Sequence, residues 1–114
     1  FAEMTRFGLA RGARAETRAG LSGLGDLVLT CSSTSSRNFS LGVGLGKGGG
    51  ARDLLADRRT VAEGAFTAPV LRLAAADAGA EMPITEAVCD LLDGSTDIAG
   101  IIARILSRPL RTEQ

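Results

Sequence analysis

Apolar residues recur at helical spacing through the second half of the chain. After Asp97 they fall at positions 98, 101, 102, 105 and 106, one face of a helix that Pro109 ends. Met82 and Pro83 open another such pattern, in which positions 84, 88, 91 and 92 are apolar and Gly94 is the stop. These spacings predict two amphipathic helices near the end of the chain.

A third helix is predicted just before these two. Thr60 and Glu63 have the spacing of a capping box, in which the two side chains satisfy free backbone N–H groups at a helix start. The helix is expected to run to about Gly79, with a local adjustment at Pro69. This local role accounts for Glu63 without any function.

The first half of the chain is less regular. Residues 1–12 favour a helix, Ser36 is placed to cap a helix that ends in glycines, and residues 51–57 suit a short helical piece. Residues 27–29 form an apolar run that periodicity assigns to neither strand nor helix. Because no stretch alternates as a strand does, we predict an all-α, bundle-like fold. A helix that begins at residue 1 without a preceding cap predicts a fragment of a longer protein.

Composition narrows the possible functions. The 114 residues suit one domain, and 13 basic side chains balance 13 acidic ones, which argues against nucleic-acid binding. No apolar run is long enough for a membrane span and no signal peptide is evident, so we expect a cytoplasmic protein. Histidine is absent and Cys31 lies far from Cys89. We therefore expect no metal site, no histidine-based catalysis and two buried free thiols.

A GxGxxG pattern at residues 44–49 is not expected to bind a dinucleotide. That fingerprint works where a strand feeds a tight turn and the next helix points its positive N-terminus at the pyrophosphate. Here the glycines come at the predicted end of a helix, where the dipole is negative.

The triplet Ser36-Arg37-Asn38 is a candidate anion site. At a helix start, free N–H groups, the positive dipole end and a guanidinium can converge on one anion. The alternative is a serine cap beside a solvated arginine. Asp26 lies in an apolar stretch where a carboxylate needs a partner, and the alternative is that it caps a helix. Thr30 would share its face if that stretch is helical. Together these groups suit a small polar phosphate ester.

The blocks GLGDLVLTCSSTSSRN, LGVGLGKG, VAEG and EMPITEAV resemble, in order, the carboxy-terminal domain of bacterial NAD(P)-dependent sn-glycerol-3-phosphate dehydrogenase. The resemblance covers essentially residues 1–114. It implies a helical substrate-binding domain of an oxidoreductase that reduces dihydroxyacetone phosphate to sn-glycerol 3-phosphate with NADH or NADPH, for glycerophospholipid synthesis. NAD or NADP would be bound mainly by an amino-terminal Rossmann domain that this chain lacks.

The resemblance also implies roles for single residues. Asp26, Ser36, Arg37 and Asn38 match substrate-binding positions, and Thr30 matches a threonine near the reacting carbon. Asp26 and Thr30 would thus be supporting residues of catalysis.

The cofactor positions follow in the same way. Arg37, Val61 and Glu63 match residues that contact the cofactor. The family's proton donor is a lysine that precedes the matching region, and Lys47, the one lysine here, does not replace it. The fragment alone is therefore expected to be inactive. The resemblance also suggests a homodimer. The alternative to an enzyme domain is a non-enzymatic helical dimerisation or interaction module.

Overall fold

The computed structural model describes residues 1–14, 16, 20–32, 35–56 and 62–109. These residues form α-helices and one π-helical turn at Leu21–Gly25, with no strand among them, which confirms the predicted all-α fold. In chain order the helices are α1 (Ala2–Ala10), α2 (Asp26–Cys31), α3 (Arg37–Gly46), α4 (Ala51–Leu55), α5 (Glu63–Ala78), α6 (Pro83–Asp93) and α7 (Ile98–Leu106).

Several helix ends follow directly from local sequence. The Ser36 hydroxyl accepts a hydrogen bond from the Phe39 N–H at 3.3 Å, and Asp97 Oδ1 accepts one from the Gly100 N–H at 2.8 Å. Gly79 and Gly94 end α5 and α6 in the left-handed conformation, with φ of 69° and 80°. Only glycine adopts that conformation at little cost, so both helices stop where the sequence predicts.

The predicted capping box at the start of α5 is wrong. The N-cap is Ala62, and Glu63 is the first residue of the helix rather than its third. Pro69 lies inside the helix, which continues through it to Ala78. Thr60 and Asp57 lie outside the described residues, and α4 ends at Leu55.

The core is built mainly from small side chains. Helix α5 packs against α6, α6 also packs against α7, and α3 contacts both α4 and α5. Small residues let helix backbones approach each other closely, so the interior gains contact area without large side chains. Among the residues that the structure describes, the buried apolar ones are Ala62, Ala68, Ala75, Met82, Ala87, Cys89 and Ile101.

Helix α1 is attached to α6 by a buried carboxylate. Glu3 is 8% exposed, and its two oxygens accept hydrogen bonds from the Ile84 N–H, the Thr85 N–H at 3.1 Å and the Thr85 hydroxyl at 3.3 Å. These are free N–H groups of the first turn of α6, where the helix dipole favours a negative charge. Arg6 adds a hydrogen bond from Nε to the Glu81 carbonyl at 2.9 Å.

An ion-pair cluster connects α5, α6 and α7. Arg72 Nη1 lies 3.3 Å from Asp90 Oδ1 and 3.8 Å from Glu86, while Arg104 lies 2.9 Å from the other oxygen of Asp90. Asp90 is thus shared between two arginines from different helices. Because the four side chains form a network rather than isolated pairs, they help fix the angle between the three helices.

Two expectations about burial are corrected by the structure. Cys89 is 2% exposed, but Cys31 is exposed, so only one thiol is buried. Cys31 ends the short helix α2, in which no residue is buried. The predicted apolar face of α7 is covered only in part, since Ile101 is buried while Ile102 and Leu106 are 52% and 78% exposed.

Candidate functional site

The starts of α3 and α5 meet through one side chain. Asn38, the second residue of α3, accepts a hydrogen bond at its Oδ1 from the Gly64 N–H at 2.9 Å. Gly64 is the second residue of α5, and its N–H is one of the donors that a helix leaves free at its N-terminus. The contact joins residues 26 positions apart and brings two positive helix ends together.

Asn38 and Gly64 line an apolar cavity of about 350 Å³, and their neighbours along the chain line a separate cleft of about 350 Å³. Arg37 lines it as the first residue of α3, and Ala62 lines it from the start of α5. Other parts of the wall come from Ser35, Ser40, Leu41, Leu54 and Leu55. A guanidinium and the positive ends of two helices attract an anionic group by charge and by hydrogen bonding, so the cleft suits a phosphate ester.

Ser36 occupies the position predicted for a helix cap. Its hydroxyl accepts the Phe39 N–H, so this oxygen is engaged within α3. Arg37 and Asn38 are exposed on the first turn. The two interpretations of the triplet are therefore compatible, because Ser36 forms the cap while the two following side chains remain accessible.

Of the residues matched to cofactor positions, the structure describes two. Glu63 is exposed at the first position of α5, next to Ala62 in the cleft wall. Arg37 is exposed at the first position of α3. Val61 lies outside the described residues.

Asp26 and Thr30 lie on the neighbouring helix α2. Asp26 is its first residue, with Gly25 at the N-cap, so Asp26 is not a cap. The Thr30 hydroxyl donates to the Asp26 carbonyl at 2.9 Å, as expected for residues four apart on one helical face. Helix α2 packs against α3. Within the described residues, no hydrogen bond or ion pair joins Asp26 or Thr30 to Arg37 or Asn38.

The glycine-rich pattern at residues 44–49 lies where α3 ends. Gly44 and Gly46 are the last glycines within the helix, and Gly48 follows in a left-handed conformation with φ of 93°. Gly44 and Gly49 face Leu54, which would lie about 3 Å from a Cβ at either position. These glycines therefore serve the packing of α4 against α3, and the end of a helix does not suit a pyrophosphate.

The described part of the chain also bears on metal and membrane binding. It contains no cluster of three or more histidine, cysteine or acidic side chains that could hold a metal ion. None of its helices is both long enough and apolar enough to cross a membrane.

The contacts of two residues, Gly64 and Glu3, were not predicted from the sequence. The hydrogen bond between Asn38 and Gly64 has no local signal, because its partners are far apart along the chain. Gly64 stands in the VAEG block, but a single glycine in the first turn of a helix does not indicate by itself what approaches it. Glu3 was likewise not predicted as a distant helix cap.

Comparison with known proteins identifies the relatives of the chain. Residues 1–103 match the family model described as the C-terminus of NAD-dependent glycerol-3-phosphate dehydrogenase. A glycerol-3-phosphate dehydrogenase [NAD(P)+] from Sphingopyxis alaskensis is 63% identical over 99% of this chain, and one from Novosphingobium aromaticivorans is 65% identical over the same share. The chain spans 34% of the length of each.

A solved structure agrees with this result. The crystal structure of a glycerol-3-phosphate dehydrogenase from Coxiella burnetii superposes with a TM-score of 0.87 at 34% identity, covering 93% of this chain and 33% of the other. The agreement thus extends over sequence and fold alike. The chain belongs to the NAD-dependent glycerol-3-phosphate dehydrogenase family and corresponds to the C-terminal domain of its members.

Proposed function

We propose that residues 1–114 are the substrate-binding domain of an enzyme that reduces dihydroxyacetone phosphate to sn-glycerol 3-phosphate with NADH or NADPH. The observation that carries the proposal is the junction of α3 and α5, where the Asn38 carboxamide joins two helix N-termini and the adjacent Arg37 lines a cleft. An anionic phosphate ester is the kind of ligand that such a junction attracts. The product would supply glycerophospholipid synthesis.

The proposed substrate contacts use the chemistry of each side chain. Arg37 provides a fork of N–H donors for a phosphate or a polar oxygen. Asn38 has its oxygen engaged by Gly64, so its NH₂ group is the part available to donate to substrate. Ser36 holds the first turn of α3 in place through its cap, which keeps its neighbours in register. Asp26 would accept a hydrogen bond from a substrate hydroxyl, with Thr30 beside it.

The nicotinamide, when bound, supplies the hydride for the ketone carbon. Charge then develops on the substrate oxygen, so a proton donor is required. No lysine lies in the cleft wall, and Lys47 follows the far end of α3. We therefore assign the proton donor to a lysine in the rest of the enzyme, and we expect residues 1–114 alone to be inactive.

Two of the proposed cofactor contacts are Arg37, in the cleft wall, and Glu63, which follows Ala62 of that wall. Arg37 and Glu63 stand at the first positions of α3 and α5, and Val61 precedes Glu63 by two residues. A guanidinium suits a phosphate or carboxamide oxygen, whereas a carboxylate suits a hydroxyl or an amide N–H. The main dinucleotide site would lie on a Rossmann domain, since the glycine-rich pattern here is at a helix end.

The direct test is cofactor oxidation by the full-length enzyme that we propose contains this domain. The full-length enzyme should oxidise NADH or NADPH only when dihydroxyacetone phosphate is present, and the 114-residue chain should not. This result would support the proposed reaction and the proposal that residues 1–114 hold only part of the active site. An inactive full-length protein with either cofactor would contradict the proposal and favour a non-enzymatic dimerisation or interaction module.

Arg37→Ala tests the anion contact in the full-length enzyme. Loss of a charged contact to a bound phosphate ester should lower kcat/KM for dihydroxyacetone phosphate by about 30-fold or more, equal to about 2 kcal/mol or more. Arg52→Ala is the matched control, because Arg52 is an exposed arginine on α4 outside the cleft wall. Equal kcat/KM values for Arg37→Ala and the wild type would contradict the role of Arg37.

A further inference from the structure

We propose that Gly64 is a positioning residue, which orients the carboxamide of Asn38 for the substrate. The inference rests on the proposed function and extends it to a residue that does not itself touch the substrate. The absence of a side chain at position 64 leaves room for the Asn38 carboxamide at the start of α5. The Gly64 N–H binds the oxygen of that carboxamide, so the NH₂ group points away from α5.

The hydrogen bond determines the orientation of the amide. A carboxamide has one accepting oxygen and one donating NH₂ group, and rotation by half a turn exchanges them. The Gly64 N–H is a donor, so it holds Oδ1 at 2.9 Å and excludes the rotated form, in which two donors would face each other. The NH₂ group is thereby kept as a donor toward an acceptor such as a phosphate or carbonyl oxygen.

The space at position 64 is available only to glycine. A Cβ at this position would lie 2.8 Å from Asn38 Oδ1 and 3.1 Å from Asn38 Cγ. Real Cβ atoms essentially never approach another atom as closely as 2.8 Å, so one group has to move. The atoms in the way belong to the end of a side chain, and Asn38 is exposed. Alanine would therefore displace the Asn38 carboxamide and leave the two helices in place.

The same substitution favours the helix itself. Gly64 is within α5, and its φ is not among the positive values. Alanine is a better helix former than glycine, because glycine loses more backbone freedom when it becomes helical. If Gly64 served stability alone, Gly64→Ala would lower stability and activity together. If Gly64 positions Asn38, Gly64→Ala should keep or raise stability while it impairs the reaction.

The test compares Gly64→Ala with Gly42→Ala in the full-length enzyme. Gly42 lies inside α3, and a Cβ there would meet nothing within 4 Å, so this control makes the same chemical change without a clash. For Gly64→Ala we expect an unfolding midpoint equal to or above that of the wild type. We expect kcat/KM for dihydroxyacetone phosphate to fall on the order of 100-fold, mainly through KM, with the KM of the reduced cofactor unchanged.

A double-mutant cycle tests whether Gly64 acts through Asn38. If it does, the variant with both Gly64→Ala and Asn38→Ala should be no less active than Asn38→Ala alone, because the carboxamide is already gone. If the loss of kcat/KM in the double variant equals the product of the losses in the two single variants, the inference is overturned. A Gly64→Ala enzyme as active as Gly42→Ala would also overturn it. A Gly64→Ala enzyme with a lowered kcat, an unchanged KM and a lowered unfolding midpoint would overturn it as well, because that combination indicates partial unfolding.

The wild-type assay separates this inference from the proposed function. A wild-type enzyme that does not reduce dihydroxyacetone phosphate overturns the proposed function and the role of Gly64 with it. A wild-type enzyme that is active and is impaired by Arg37→Ala, but is not impaired by Gly64→Ala, overturns the positioning role alone.

Discussion

Two polar residues at the start of α3 act over very different ranges along the chain. Ser36 caps its own helix through the Phe39 N–H, three residues away. Asn38 accepts the Gly64 N–H of another helix, 26 residues away. Both satisfy a free donor of a helix N-terminus, so the physical chemistry is the same. Only the first contact can be inferred from spacing, because the second depends on how α3 and α5 pack.

The two cysteines show how the fold separates identical side chains. Burial raises the pKa of the Cys89 thiol above its ordinary value, since the charged thiolate loses hydration there. Negative charges of Glu86, Asp90 and Asp93 raise the pKa further, although Arg72 opposes them. Cys31 is exposed at the end of α2. The fold thus makes one thiol accessible and keeps the other protonated.

Thiol labelling of the 114-residue chain tests this difference. In buffer at pH 8 a thiol reagent should modify Cys31 quickly and Cys89 only slowly, whereas in denaturant it should modify both. Cys31→Ser and Cys89→Ala assign the two phases. Rapid modification of both thiols in the native chain would contradict the buried position of Cys89.

The raised pKa of Cys89 also predicts a pH dependence of stability. Above the ordinary thiol pKa of about 8.5, the unfolded chain releases this proton while the folded chain retains it. The free energy of unfolding should therefore fall as pH rises above that value, and less so in Cys89→Ala. Tyrosine is absent from the chain, so few other groups titrate in this range.

At the scale of helices, ends are stabilised by residues from distant parts of the chain. Helix α6 has Met82 at its N-cap with no side-chain hydrogen bond from that residue. Glu3 of α1 supplies the missing acceptors, although it lies 81 residues before Ile84. The carboxylate is buried, so its hydrogen bonds have to be made for the fold to tolerate it. The hydrogen bonds between Glu3 and the start of α6 therefore stabilise both helices.

Glu3→Ala tests this stabilisation. The substitution leaves the N–H groups of Ile84 and Thr85 without their acceptor, so we expect the free energy of unfolding to fall by about 1–3 kcal/mol. Glu86→Ala is the control, because its exposed carboxylate lies 3.8 Å from Arg72 and such pairs contribute about 1 kcal/mol or less. Urea unfolding followed by circular dichroism measures both variants. Equal losses in the two would contradict the capping role of Glu3.

At the scale of the whole molecule, much apolar surface remains uncovered. Phe66, Val70 and Leu73 lie along one side of α5 and are 64%, 66% and 73% exposed. The radius of gyration is 14.7 Å, above the roughly 13 Å expected of a compact domain of this length. The chain spans about a third of the length of the relatives it matches.

This surface predicts the behaviour of the isolated chain. Contiguous exposed apolar residues favour association, so we expect the 114-residue chain to self-associate as its concentration rises. Light scattering coupled to gel filtration measures the mass. The pair Phe66→Ser and Leu73→Ser should shift the chain toward the monomer, whereas Thr67→Ser and Asp77→Ser, at exposed polar positions of the same helix, should not. A wild-type chain that stays monomeric at high concentration would contradict the prediction.

Local sequence determined the helical class, most helix ends and the residues offered to an anion. Apolar spacing identified α6 and α7, Ser36 and Asp97 were placed as caps, and Gly79 and Gly94 as stops, because each depends on neighbours within about four residues. Family resemblance added the roles of Asp26, Arg37 and Asn38 in the substrate site, which stay predictions.

The tertiary structure decided what distant residues do for one another. It joined Asn38 to Gly64, placed Glu3 at the start of α6, buried Cys89 while exposing Cys31, and replaced the expected capping box with Ala62. None of these has a short-range signal, because hydrogen bonds and burial between helices depend on which helix faces pack together. The sequence by itself thus specified the helices and candidate side chains, and packing determined which of those side chains meet.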